Sequence, residues 1–377
     1  MRYLTAGESH GYALNVIIDG VPSNVKLQKK DIDTELQRRQ AGYGRGTRML
    51  IETDEVTVVS GVRNGMTTGS PVSLLIRNRD WENWKNKSYK ETLETKPRPG
   101  HADLAGALKF DLKNIRDVLE RSSARETAAR TAVGAVAKKV LRELDIGFYS
   151  SVINIGGISS PVKDYKQLKK NYDNFNRTEL RCMDKEASVK MKKRIDQAVT
   201  NKDSLGGVIE VLVENVPLGL GSFTQYDQKL DAALAAAIMS IQAFKGVEIG
   251  DGFSLADRTG RTAHDEIFYS KEKGFFHKTN HSGGIEGGMS NGEDIIFRAV
   301  MKPIPTLMQP LKTVDLATKK AEAAFKERSD VCAVPSASII AENVAAVEIL
   351  KFVQLKFGGD SIRELRLNLQ NYLKTIR

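Results

Sequence analysis

Arg121-Ser122-Ser123-Ala124-Arg125-Glu126-Thr127 opens the clearest helical pattern in the chain. Ser123 and Glu126 stand in the S-x-x-E order of a capping box, and behind them Ala128, Ala132, Val136 and Val140 share one helical face. A helix is therefore expected over Ala124–Leu144. Its first turn would present N–H groups without partners and the positive end of the helix dipole. Serine hydroxyls and arginine side chains beside that turn complete a receptor for an anion. The plainer alternative is an ordinary capped helix whose arginines face water.

Outward from this helix, short apolar or alternating runs predict strands at Leu14–Ile18, Val56–Val59, Val72–Ile76, Val152–Ile155, Val208–Val213 and Ile295–Val300. Asp227 can cap a helix carrying Leu230, Leu234, Ala237 and Ile241. Pro335–Phe357 reads as a long apolar helix with the proline in its first turn, and Ser361 with Glu364 forms a second capping box ahead of Leu365, Leu369 and Leu373. The elements alternate without the regular βαβ beat of a doubly wound fold or barrel. No G-x-G-x-x-G follows a strand and no G-x-x-x-x-G-K-[ST] occurs, so neither standard nucleotide route is supported. Residues 78–100, with Trp81 and Trp84, and the lysine-rich 161–202 read as polar surface excursions from one α/β body spanning 1–377.

With 41% hydrophobic and 28% charged residues, the 377-residue chain has ordinary globular composition, which excludes wholesale disorder. No apolar run approaches the roughly 20 residues of a membrane span. The start, Met1 to Glu8, turns polar too soon for a signal peptide, and only Cys182 and Cys332 occur, so a disulfide framework or cysteine zinc site is not expected. A cytoplasmic protein is the expectation. Lysine and arginine number 57 against 47 acids, a net charge of +10. That surplus suits an anionic partner (nucleic acid, an acidic membrane or a small polyanion), or simply a solvated basic surface.

The placement of special residues narrows this. His10 lies in Gly7-Glu8-Ser9-His10-Gly11 and His101 in Arg98-Pro99-Gly100-His101-Ala102-Asp103; glycine turns let other groups approach an imidazole closely. His277 and His281 have a metal-like spacing, but the glycines from Gly283 argue for loop. Arg38-Arg39-Gln40-Ala41-Gly42-Tyr43-Gly44-Arg45-Gly46-Thr47-Arg48 offers planar bidentate donors on a pliant backbone, favouring a small-anion site over a nucleic-acid arm. The run Gly283–Gly292 marks backbone lying against a ligand or another chain, or a loop. Arg328-Ser329-Asp330 by itself reads as a salt bridge.

Together these pieces, in this order over most of the chain, resemble the chorismate synthase family: Gly7–Gly11, the arginine–glycine cluster, Arg98–Asp103, Glu120–Arg125, the late glycine run, Arg328-Ser329-Asp330 and Glu342-Asn343. The resemblance implies a β-α-β sandwich, helices between antiparallel sheets, and a homotetramer. It implies an anti 1,4-elimination of phosphate from 5-enolpyruvylshikimate 3-phosphate, giving chorismate, with reduced FMN and no net redox change. His10 would protonate the departing phosphate, His101 would supply a proton to the flavin, and Asp330 would act with the flavin in removing the ring hydrogen. Arg39, Arg45, Arg48, Arg125 and Arg328 would clamp the substrate, Arg39 and Arg45 also being positions associated with NADP. Flavin contacts would fall on Arg121, Ser122, Ser123, Gln242, Ala243, Gly287, Lys302, Pro303, Ile304, Pro305, Thr306 and Arg328. NADPH or an external flavin reductase would keep the flavin reduced.

Two rivals remain. A nucleic-acid-binding protein accounts for the charge but not for histidines on glycine turns, and it lacks an aromatic-rich strand for stacking. An FMN-dependent NADPH oxidoreductase would differ by consuming NADPH at each turnover.

Overall fold

The computed structural model describes residues 1–46, 53–162, 164–327 and 329–376, so Arg48 and Arg328 lie outside the described residues. Strands β1 (Arg2–Ala6), β2 (Ala13–Asp19), β3 (Val56–Ser60) and β4 (Val72–Arg77) form an antiparallel sheet in the order β1-β2-β4-β3. Leu14 faces Ile76 and Val16 faces Leu74 across β2 and β4. Leu14, Val16 and Ile18 are buried while Asn15 and Ile17 between them are exposed, the period-2 pattern that makes one face a core face.

A second antiparallel sheet joins β5 (Gly147–Ile155), β6 (Ile158–Ser159), β7 (Gly207–Glu214), β8 (Phe244–Ile249) and β9 (Ile295–Met301), in the order β8-β9-β7-β5-β6. The helices are α1 (Lys29–Gln40), α2 (Asp103–Phe110), α3 (Ile115–Ser122), α4 (Thr127–Arg142), α5 (Tyr165–Asn176), α6 (Lys185–Thr200), α7 (Leu230–Met239), α8 (Val334–Phe357) and α9 (Ile362–Thr375), beside short helical turns. Helix α4 packs on β2 of the first sheet and on α8, which packs in turn on β5 and β7 of the second. Helices therefore fill the space between two antiparallel sheets, as expected. Helix α8 is buried along most of its length and emerges only near its end, at Leu355 and Lys356, which explains its largely apolar sequence. At the α4–α8 crossing a Cβ on Gly134 would stand 2.4 Å from Asn343, so only glycine permits this approach.

That crossing is lined by charge. Arg38 of α1 donates to Glu35 (2.7 Å) and to Glu342 of α8 (2.9 Å), and Lys138 of α4 donates to Glu35 (3.0 Å) and also to Glu342. Ser150 and Tyr172 complete Glu342 at 2.8 and 2.6 Å. Burial alone would raise the pKa of both carboxyls; Arg38 and Lys138 overcome it and hold both below the usual range.

Several expectations need correction. Ser123 caps a 3-10 turn over Ala124–Glu126, accepting from Arg125 N at 3.2 Å, and the α-helix begins only at Thr127. The Glu126 carboxylate does not close the capping box, because it accepts instead from Thr5 (3.0 Å) and Gln242 (3.2 Å). Asp227 lies in a separate 3-10 turn and does not cap α7, which stops at Met239, short of Ile241. Ser361 accepts from Glu364 N, but Glu364 reaches the N–H of Asp360. Residues 161–202 are not a surface excursion. Leu168, Tyr172 and Phe175 of α5 pack with Leu212 and Ile296 on the second sheet's outer face, their apolar spacing diluted by lysines. Residues 78–100 are partly buried too, at Asn78, Asp80 and Arg98. Within the glycine run, Ile285–Glu286 pairs with Met289–Ser290 as a small hairpin.

Candidate active site

A cavity of about 490 Å³ opens where the 9–10 turn, the end of α1, the α3–α4 junction and residues 241–244, 301–306 and 329–340 converge. Its cationic wall begins with neighbours on one carboxylate. Asp54, wholly buried, accepts from Arg39 (3.1 Å) and Arg125 (2.5 Å). Arg39 also donates to Thr127 Oγ1 (2.9 Å) and the Ala124 carbonyl (3.2 Å), and Arg125 donates to Asn78 (2.8 Å). Burial pulls the Arg39 guanidinium down to about 10; Asp54 offsets this, while Arg125 and Arg45 press it further. A site in which cations outweigh their counter-charges is completed by a bound anion.

Across the cavity Arg45 meets Asp330 at 2.9 Å, and the Gly46 N–H donates to the other Asp330 oxygen at 2.6 Å. Asp330 thus has the arginine partner that a lone carboxylate needs, in Arg45. Arg98 is held by Asp103 (2.8 Å) and Thr306 (2.8 Å). Burial, and Lys245 after it, lower the pKa of the Lys302 ammonium, which donates to the Gly100 carbonyl.

Both flagged histidines line this cavity on carboxylate partners. His10 Nδ1 lies 2.7 Å from Glu120, and its ring stacks on Trp84 with centroids 4.2 Å apart. His101 Nδ1 lies 2.5 Å from Asp103. Burial works to raise the pKa of Asp103, but His101 and Arg98 hold it well below the usual range. Ser9 and Ser123 hydroxyls meet at 3.2 Å. Gln242 donates to Glu126, while its buried Oε1 has no hydrogen-bond partner among the described residues. Ala243 sits at φ 69°, a left-handed conformation that costs an alanine energy and recurs at ligand sites.

Of the expected site residues, the cavity gathers His10, His101, Asp330, Arg39, Arg45, Arg125, Ser122, Ser123, Gln242, Ala243, Lys302, Ile304, Pro305 and Thr306. Arg121 turns away to Thr5 and Gly7, Pro303 does not line the wall, and Gly287 lies in the hairpin. Sequence reading missed Asp54, Asn78, Asp80, Trp84 and Glu120 as supports, and Arg98 and Asp103 as partners of His101. The last two flank His101 in a stretch already conspicuous; Asp54 and Asn78 carry no local signal.

A half-enclosed cavity with surplus guanidinium groups, paired histidines and an apolar floor of Leu119, Ile241, Phe244 and Ile340 defines a class: an enzyme acting on a small polyanion. Comparison with known proteins carries this to a family. The profile described as chorismate synthase matches residues 1–354. The chain is 52% identical to the chorismate synthase of Geobacillus sp. (strain WCH70), covering 100% of both chains. It is 52% identical to that of Geotalea uraniireducens (strain Rf4), covering 100% of this chain and 99% of that protein. A crystal structure of a chorismate synthase superposes with TM-score 0.83 at 40% identity, covering 100% of this chain and 98% of the other. The chain belongs to the chorismate synthase family. It is a lyase of the shikimate pathway that eliminates phosphate to form chorismate, with the family's requirement for reduced flavin.

Proposed function

We propose that the cavity carries out an anti 1,4-elimination on 5-enolpyruvylshikimate 3-phosphate, with the flavin bound as FMN. The observation that carries this is the convergence of Arg39, Arg45 and Arg125, from separate segments, on one cavity where an under-compensated Arg39 awaits an anion. These arginines, with Arg48 and Arg328, clamp the phosphate and carboxylates. His10 protonates the departing phosphate. His101, its Nδ1 on Asp103, keeps Nε2 for proton exchange with the cavity. Asp330, held by Arg45 and the Gly46 N–H, accepts the ring proton at a carboxylate oxygen.

The residues fit FMN: the unpaired Gln242 Oε1 calls for a donor, and the volume exceeds the needs of one small anion. Ser122, Ser123, Gln242, Ala243, Lys302, Ile304, Pro305 and Thr306 would hold it. Held there, reduced FMN would supply the electron density that C–O cleavage requires. NADPH, at Arg39 and Arg45, or an external reductase keeps it reduced. The chain 1–377 acts as one unit, assembled as a homotetramer in the cytoplasm; the exposed Leu4, Ile17 and Val59 on the first sheet's outer face support self-association.

Anaerobic assay tests the mechanism. Oxidised FMN should give no chorismate, and one reduced flavin should serve many turnovers. One flavin oxidised per chorismate would sink it and revive the oxidoreductase.

A further inference from the structure

His10 is held more tightly than a proton donor on a flexible turn would be. Glu120, in the last turn of α3, binds it at two points: Oε1 lies 2.7 Å from the ring Nδ1, and Oε2 accepts the His10 backbone N–H at 2.6 Å. The Glu120 carbonyl also accepts the Ser9 N–H at 2.9 Å, so one residue clamps the turn and the ring together. Burial works to raise the Glu120 pKa, but its bonds with His10 hold it below the usual range, so the carboxylate is ionised. Trp84 stacks on the imidazole, and Asp80 holds the indole N–H at 3.2 Å. The second ring nitrogen, Nε2, lies 3.9 Å from Asp80, beyond hydrogen-bond distance. Arg116, one turn before Glu120, ties this clamp to Glu327, which also lines the cavity (3.4 and 3.2 Å).

We propose that Glu120 is the positioning residue of His10: it keeps the proton on Nδ1 and fixes the ring, so that Nε2 carries the proton given to the phosphate. This rests on the reading of His10 as the proton donor. A neutral imidazole has two tautomers, and an ionised acceptor on one nitrogen selects between them. The step balances. The C–O bond breaks with its electron pair leaving on phosphate, and the imidazolium passes its Nε2 proton to a phosphate oxygen. The ring is left neutral with Nδ1–H on Glu120, and Nε2 regains a proton from water. Without Glu120 the neutral ring would populate the other tautomer, whose Nδ1 faces away from the reacting group.

Glu120→Gln keeps the shape and removes the charge. Turnover should fall about 10–100-fold with KM within about threefold, as for other loosened supports of a catalytic imidazole. In a His10→Ala background the same change should add less than about twofold, because its effect runs through His10. Ring ¹⁵N shifts of the wild-type protein, with His10 assigned by its loss in His10→Ala, should show the neutral form protonated at Nδ1, and Glu120→Gln should redistribute it. This wild-type measurement stands even if the variant fails to fold. A wild-type ring protonated at Nε2, unchanged turnover in Glu120→Gln, or a full additive loss in the double variant overturns the inference. Retained turnover in His10→Ala would be a different failure, removing the role of His10 and the inference with it.

Discussion

Arg38 and Arg39 are neighbours in α1, yet they enter opposite kinds of surroundings. Arg38 enters a sealed cluster in which it and Lys138 share Glu35 and Glu342, with the buried Arg181 alongside. Arg39 enters a cavity where Asp54 is shared with Arg125 and burial leaves the guanidinium under-compensated. The first arrangement finds its carboxylates on its own helix and on α8, and so ties helices together. The second is completed by whatever anion arrives. The same residue type thus serves cohesion or binding according to whether its counter-charge is built in.

The sharpest break should come from Asp330→Asn, which keeps size and most hydrogen bonding but removes the proposed proton acceptor. Turnover should fall by roughly 10²–10⁴ while ligands still bind and the urea midpoint barely moves, the range for lost acid–base catalysis. A large stability loss instead would place Asp330 with the structural charges.

Glu342→Gln attacks the other side. It leaves Arg38 and Lys138 with Glu35 as their one remaining carboxylate among the described residues and should cost about 3–5 kcal/mol of unfolding free energy, read from urea denaturation. A loss below about 1 kcal/mol would mean that the cluster is not the lock described.

Arg39→Lys keeps the charge but not the bidentate fork. Substrate binding should weaken by about 1.5–3 kcal/mol, with a smaller stability change than in Glu342→Gln. Equal or reversed effects would dissolve the distinction between the two arginines.

Smaller effects follow from pH. Glu35 and Glu342 bind protons less readily folded than unfolded. Their contribution is complete above the ordinary glutamate value of about 4.3 and is lost as pH falls toward their lower folded values. The acid-side slope of stability should be shallower in Glu342→Gln. In the cavity the test is a ligand: inorganic phosphate should raise the thermal midpoint, and by less in Arg39→Lys, because a bound anion offsets the cost of burying the Arg39 charge. Phosphate protection equal in Arg39→Lys and the unaltered protein would take Arg39 out of the anion site.

Much of this was legible in residue order. Six strands of the two sheets, the helix after Pro335 and the two cavity histidines on glycine turns follow from local pattern and motif, whereas β1, β6 and β8 lie outside the patterned runs. What escaped depends on pairing across distance. Glu126 satisfies a capping pattern but spends its carboxylate on Thr5 and Gln242, a choice visible only once β1 and the 240s meet. Asp54 has no motif around it; it matters because β3 delivers it between Arg39 and Arg125. Residues 161–202 looked solvated because lysines outnumber the few apolar residues that dock on the second sheet.

The cavity's lining begins at Ser9 and runs to Ile340. During synthesis, an emerging chain therefore holds the first sheet, with its arginines and His10, long before Asp330 and α8 exist to close the wall. Arg39, Asp54 and Arg125 can meet early, but the final closure brings together segments very far apart along the chain. Chains with such distant pairings fold slowly and expose apolar strands while they wait. Catalytic competence should therefore appear as one late step in refolding, after most secondary structure has formed.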